Sequence, residues 1–217
     1  MRWITIAGLA LAVSAPLGAQ ESTGQAVLDR AIRAYKSVNT VEATFTQRIT
    51  NPLLGRTVEA KGEMVQDRPN KMSIRFTDPA GDRIVSDGTH LWIYVPSMAP
   101  GQVIKQKVGA NSAGVPDVTA IFLEAPREKY TIHDAGAATV NGRQTSVLHL
   151  TARDASLPFT KATVWVDGKD GLIRQFEITE PSGLVRRVII DKLTVNPKLS
   201  GSAFEFVVPK GVRVVEG

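Results

Sequence analysis

The sequence predicts a mainly β protein: a strongly curved antiparallel sheet or barrel, with helical pieces able to cover one face. Three observations carry this. From Val41 onward, apolar and polar residues alternate with a period of two over many short runs separated by turn signals. One amphipathic segment with helical spacing precedes them. A single interruption, "VGANSAGVPDVTAIFLEAPREKY", offers Val118, Ile121 and Phe122 as a short helix before Pro126.

The first 19 residues precede any fold element. Arg2 is followed by an apolar run from Trp3 to Val13 and by small residues ending at Ala19. This is the pattern of a secretory signal peptide cleaved between Ala19 and Gln20. The apolar run is too short to span a bilayer, so residues 20–217 are expected to form one exported, soluble domain. In "STGQAVLDRAIRAYKSVN", Val27, Leu28, Ala31, Ile32, Tyr35 and Val38 share one helical face, and Asp29, Arg30, Arg33 and Lys36 the other. Ser22 or Thr23 would cap this helix and Asn39 would end it.

The strands follow. "VEATFTQRI" alternates Val41, Ala43 and Phe45 with Glu42, Thr44 and Thr46; "KMSIRF" alternates Met72, Ile74 and Phe76 with Ser73 and Arg75. Before "KMSIRF" comes the strand-like "GEMV", joined to it by the elbow Asp67-Arg68-Pro69-Asn70, where Pro69 biases Arg68 toward extended backbone. "IVSDGTHLWIYVP", "RQTSVLHLTA", "KATVWVDGKDGLIRQFEIT", "LVRRVIIDKLTV" and "AFEFVV" complete the set, with turn signals at Asp87-Gly88, Asn141-Gly142 and Asp167-Gly168. Roughly nine to eleven strands with one polar face suffice for strong curvature.

Composition narrows the function class. An apolar fraction of 43% and a charged fraction of 22% suit a globular core rather than disorder. The net charge of +5 is spread evenly along the chain, with no basic cluster interleaved with aromatics, so no nucleic-acid role is expected. Cysteine is absent, which removes disulfides and any acylated cysteine. His90, His133 and His149 lie in different predicted elements without ligand spacing. Ser86-Asp87-Gly88 is a hairpin turn rather than a nucleophile elbow. Asp167-Gly168-Lys169-Asp170-Gly171 begins like a calcium loop but lacks the closing Glu. No phosphate loop, dinucleotide fingerprint or zinc motif occurs, so binding without catalysis, metal or cofactor is expected. Phe45, Met64, Met72, Ile74 and Phe76 on the sheet, with Leu28, Ile32, Tyr35, Ile121 and Phe122 on the helices, would line the covered face. Periodicity does not distinguish a packed core there from an apolar cavity.

Four stretches, "ATFTQ", "GEMVQDRPNKM", "FTDPAGDRIVSDGTHLWIYVP" and "FEFVVPKGVRVV", stand in an order and spacing that resemble the outer-membrane lipoprotein carrier family, LolA. The likeness runs from about Ala26 to the C-terminus, and "IVSDG" followed by "LWIY" is its most specific part. The resemblance implies an incomplete, strongly curved antiparallel β-barrel with an α-helical lid over an apolar cavity. It implies a periplasmic, monomeric carrier that takes acylated lipoproteins from an inner-membrane ABC-type release complex and delivers them to an outer-membrane acceptor. Arg68 falls on the family's arginine before proline, implicated in lid closure through hydrogen bonds to lid-helix backbone. Met72 and Ile74 stand where relatives often carry aromatics, and the segment from Gly114 to Phe122 matches least. The missing cysteine separates the chain from the lipid-anchored acceptor LolB. Sigma-factor regulators of similar fold carry a second domain, for which a single-domain chain leaves no room. The alternative within the fold is a lipid- or glycolipid-binding envelope sensor; a secreted hydrolase using Ser86 or a histidine is the enzyme alternative.

Overall fold

The alternating run that opens at Val41 forms β1 (Thr40–Asn51), which lies in the middle of a broad sheet. In the computed structural model, which describes residues 17–108, 121–155, 157 and 159–217, β1 is followed by β2 (Arg56–Asp67), β3 (Lys71–Asp78), β4 (Ala80–Asp87), β5 (His90–Tyr94) and β6 (Gln102–Lys107). The second group is β7 (Tyr130–Val140), β8 (Arg143–Ala152), β9 (Lys161–Asp167), β10 (Ile173–Thr179), β11 (Val185–Val195) and β12 (Arg213–Glu216). These form one 12-stranded sheet in the order β12-β6-β5-β4-β3-β2-β1-β11-β10-β9-β8-β7. Every pairing is antiparallel except β12 on β6. The terminal strands β12 and β7 do not pair with each other, so the sheet is open. Register shifts in the β1–β11, β2–β3, β3–β4, β7–β8 and β9–β10 pairings bend it, as bulges do.

Helix α1 (Leu17–Tyr35) lies on one face of the second group of strands, and a short α2 (Pro126–Lys129) leads into β7. The start of α1 departs from expectation. It precedes both expected caps, Ser22 and Thr23, and runs through the expected cleavage junction at Ala19–Gln20; its end, at Tyr35, comes before Asn39. The remainder of the expected signal peptide, residues 1–16, and most of the expected lid segment, residues 114–120, lie outside the described residues. Ile121 and Phe122 are helical.

Two further strand expectations need correction. "AFEFVV" is not a strand: Gly201–Phe204 is a 3-10 turn, Phe204 is buried, and the Phe206 ring stacks on Trp92 at 5.4 Å. The i, i+2 spacing of these rings serves packing onto a sheet face, which period two cannot tell from pairing. Conversely, β6, β7 and β12 are strands that the sequence pattern does not announce. In β7 the alternation is broken by a bulge between Asp134 and Ala137, with Gly136 at φ 88°.

Packed apolar side chains form two clusters on the same face. The larger joins Leu28, Ala31 and Tyr35 of α1 to Leu148, Val164 and Ile173 of the sheet. The smaller joins Phe45, Met72 and Ile74. Gly62 is what allows the Phe45 ring to cross β2: a Cβ there would lie 2.7 Å from Phe45 Cζ and 2.8 Å from the Arg75 carbonyl oxygen. Gly62→Ala is therefore expected to cost roughly 1–2 kcal/mol by overpacking. The check is the denaturation midpoint; an unchanged midpoint would mean that Phe45 swings aside freely.

Candidate inner face and its latch

Residues paired across antiparallel strands share a face, so the register itself assembles the site. Ala43 pairs with Met64, Met64 with Ile74, Ile74 with Ile84, Ile84 with Ile93 and Ile93 with Ile104. The result is a row of apolar side chains crossing β1 to β6, about 24 Å long at the usual strand spacing. Ala43 and Ile74 are buried, whereas Met64, Ile84, Ile93 and Ile104 are only half-buried. A parallel row sets Phe45 beside Gly62 and Phe76, with the two phenyl rings edge-to-face at 5.8 Å. The opposite face carries polar pairs such as Glu63 and Arg75 beside a row of its own, Val65–Ser73–Val85–Trp92, which Phe206 covers at Trp92.

The expected lining residues divide between the clusters. Leu28, Tyr35 and Phe122 are buried in the larger one, with Ile32 and Ile121 packed against it. Phe45, Met72 and Ile74 make the smaller, with Phe76 against it. Met64 touches both and is the link between them. Ile121 and Phe122 are tied down from below: the Tyr130 hydroxyl donates to the Ile121 carbonyl at 2.7 Å, and Phe122 packs on Phe159 and Phe176. Burial pushes the Tyr130 phenol up to about 12, so it remains a donor at neutral pH.

Arg68 sits at the C-terminal end of α1. Its guanidinium Nη1 donates to the carbonyls of Tyr35 at 3.2 Å and Val38 at 3.1 Å, and its own N–H donates to Asn39 O at 3.0 Å. The last carbonyls of a helix have no partner within it and carry partial negative charge, so a cation with several donors is suited to them. The turn that presents Arg68 is held by Ser86, whose buried hydroxyl donates to Asn70 O at 2.6 Å. Ser86 is thus a structural hydroxyl.

Sequence reasoning missed the opposite pin. Asn196, at φ 55°, accepts from Asn39 N at 2.8 Å and donates to Ser37 O at 2.9 Å. Its only signal was an Asn-Pro pair after a strand. The Tyr35 hydroxyl accepts from Ile173 N at 3.3 Å. The link between α1 and β1 is therefore held from β2–β3 on one side and from β10 and β11 on the other. One sequence assignment changes: Arg30, placed on the polar face of the helix, is half-buried with Nη2 at 3.5 Å from Ser146 Oγ. His133 and His149 lie in different strands, β7 and β8, where they pair across the sheet, both exposed.

A cleft of about 510 Å³ lies elsewhere, between the β7–β8 turn, the β9–β10 turn and the end of β11. Arg143, Arg174 and Lys192 share it with Asp170 and Asp191, and none of the expected apolar residues lines it. Among the described residues, no group of His, Asp and Glu could hold a metal ion, and no helix is long and apolar enough to cross a membrane.

Comparison with known proteins agrees with this architecture. The family model for "Outer membrane lipoprotein carrier protein LolA" matches residues 36–207. An "Outer-membrane lipoprotein carrier protein" of Chromobacterium violaceum is 28% identical over 215 residues, covering 99% of this chain and 96% of the relative. An uncharacterized conserved protein from Thermus thermophilus superposes with a TM-score of 0.56 at 12% identity, over 90% of this chain and 99% of the other. A chain of the Pseudomonas aeruginosa MucA/MucB complex gives 0.51 at 15% identity, over 89% and 63%. At such identities the two structures speak to the fold alone.

Proposed function

The chain belongs to the outer-membrane lipoprotein carrier family, LolA, and from that premise we propose that it carries acylated lipoproteins across the periplasm without catalysing any reaction. It takes them from an ABC-type release complex in the inner membrane and passes them to an outer-membrane acceptor. The inner face is the acyl-chain site and α1, with the Ile121–Phe122 segment, is its lid.

The observation that carries this reading is an apolar row that stays half-buried at Met64, Ile84, Ile93 and Ile104, in a sheet whose first strands adjoin a helix latched at its end by Arg68. The task explains both. An acyl chain of about 14 carbons, at ~0.8 kcal/mol per CH₂, costs on the order of 10 kcal/mol to expose to water. A carrier must hide it, yet bind less tightly than the acceptor. A lid that closes on an empty site competes with cargo and so lowers the affinity.

Incubated with spheroplasts, the mature protein is expected to bring newly made lipoproteins into solution as one-to-one complexes. If none leaves the membrane even in the presence of the organism's own release complex, the carrier reading fails. Co-purification of a free lipid or glycolipid instead of lipoprotein, identified by mass spectrometry, would put an envelope sensor in its place.

A further inference from the structure

The β1–β2 hairpin ends in "TNPLLGRTV", where three large apolar side chains stand in solvent: Leu53 is 86% exposed, Leu54 67% and Val58 59%. β2 begins at Arg56, but its pairing with β3 begins only at Lys61, so the tip projects past β3 by about 17 Å of strand. From this geometry we propose that the tip is a membrane-contact element, dipping Leu53 and Leu54 into the headgroup boundary of an anionic bilayer. The proposal rests on the carrier reading, since it supplies the route by which acyl chains would leave the inner face.

Four features favour lipid as the occupant. The backbone is prepared for a medium with few hydrogen-bonding partners: Asn51 Oδ1 accepts from Leu53 N at 3.0 Å and Leu54 N at 3.2 Å. Uncompensated amides there would oppose entry. The hydroxyls of Thr50 and Thr57 satisfy each other at 3.1 Å. The charge is of the right sign, since no acid lies between Ile49 and Val58 and Arg56 is exposed without an ion-pair partner among the described residues. The nearest acid, Glu59, is neutralised by Arg48 at 2.7 Å. Finally, the tip continues the inner face: Phe45 with Gly62, Gln47 with Ala60 and Ile49 with Val58 are successive same-face pairs leading outward to Leu53. A chain sliding off the inner face along this ribbon meets Phe45, Ala60, Ile49 and Val58, interrupted by Gln47, whose Oε1 accepts from Arg186 at 3.3 Å.

The test uses protein purified from the periplasm and sucrose-loaded vesicles of phosphatidylethanolamine and phosphatidylglycerol. Wild type is expected to co-sediment at low salt. Leu53→Ala/Leu54→Ala, which removes only apolar surface, should lower the partition coefficient at least tenfold, because burying one leucine is worth about a factor of ten. Leu53→Glu/Leu54→Glu should abolish co-sedimentation while leaving the melting curve unchanged. Absence of wild-type binding, or binding by the alanine variant equal to wild type, overturns the proposal. The spheroplast assay on the same variants separates the two readings. Release of lipoproteins by the alanine variant, with slower transfer to acceptor-bearing vesicles, supports the tip; transfer to those vesicles as efficient as wild type overturns it. Failure of release by the wild type sinks the carrier reading and leaves the vesicle result to judge the tip.

Discussion

Arg68→Leu is expected to yield a folded protein that takes up acylated cargo and then retains it. The guanidinium holds two carbonyls at the end of α1, those of Tyr35 and Val38, and a hydrogen-bonded charged group of this kind contributes about 1.5–3 kcal/mol. If α1 is the lid, that stabilisation belongs to the closed, empty state and is given up on loading. Removing it destabilises the closed state alone, so cargo binds roughly 10- to 100-fold tighter. Uptake then improves or is unchanged, and hand-over to the acceptor slows by a similar factor. Arg68→Lys keeps the charge but not the planar guanidinium that sets Nη1 between the two carbonyls, and should fall between. Following transfer of labelled lipoprotein to acceptor-bearing membranes checks this. Delivery at the wild-type rate by the leucine variant would reduce Arg68 to a turn residue.

The legibility of this molecule in its sequence followed the range of the interactions. Alternation placed β1, β3, β8, β9 and β11 because one buried face imposes period two locally. Asp87-Gly88 and Asn141-Gly142 gave their hairpins for the same reason: the turn conformation is chosen by the residues in it. Gly88 and Gly142 have φ 97° and 77°, and Asn141 47°. What failed depends on distant partners. Arg30 looked like one more charged residue on the outer side of a helix until Ser146 and the β9–β10 turn came to lie beside it. Asn196 reaches Asn39 across 157 positions, and no local pattern marks an asparagine for that. Arg68 is the intermediate case. Its turn was readable, but the carbonyls it meets were implied only by the family resemblance. The lining residues are buried or half-buried, and their division into two clusters joined through Met64 comes from contacts across the sheet that no local pattern carries.

Loss of the Asp167 carboxylate should be the most destabilising single change among the polar residues, and should be felt at α1. Asp167 is 2% exposed. It accepts from Arg143 and from Arg174 Nε, the latter at 3.1 Å, while Asp170 receives the other arms of the same two arginines. It also accepts from Lys169 N at 2.8 Å and Asp170 N at 3.4 Å, which shapes the β9–β10 turn. Burial by itself would raise its pKa, but the bonds from Arg143, from the turn's backbone and from Arg174 outweigh burial and hold the carboxyl well below the usual range. The sign for stability follows. The folded state resists protonation more than the unfolded chain, so the contribution is complete above about pH 4 and is lost as pH falls below it. Asp167→Asn removes one partner of a buried ion network and leaves Arg174 short of charge, a change expected to cost about 3 kcal/mol. It should lower the urea midpoint at neutral pH without altering the slope and flatten the acid limb of the stability curve. An acid limb as steep as wild type would show that other carboxylates carry it. The turn is also the shelf for α1: Gly171, at φ 74°, brings it so close that a Cβ would lie 3.2 Å from both Arg30 O and Ala34 Cβ. A turn loosened by Asp167→Asn therefore frees the end of the helix that Arg68 grips from the other side. Its closed state should weaken in the same direction as in Arg68→Leu. Combining the two substitutions should then retain cargo by less than the product of their separate effects, because both act on the same last turn of α1.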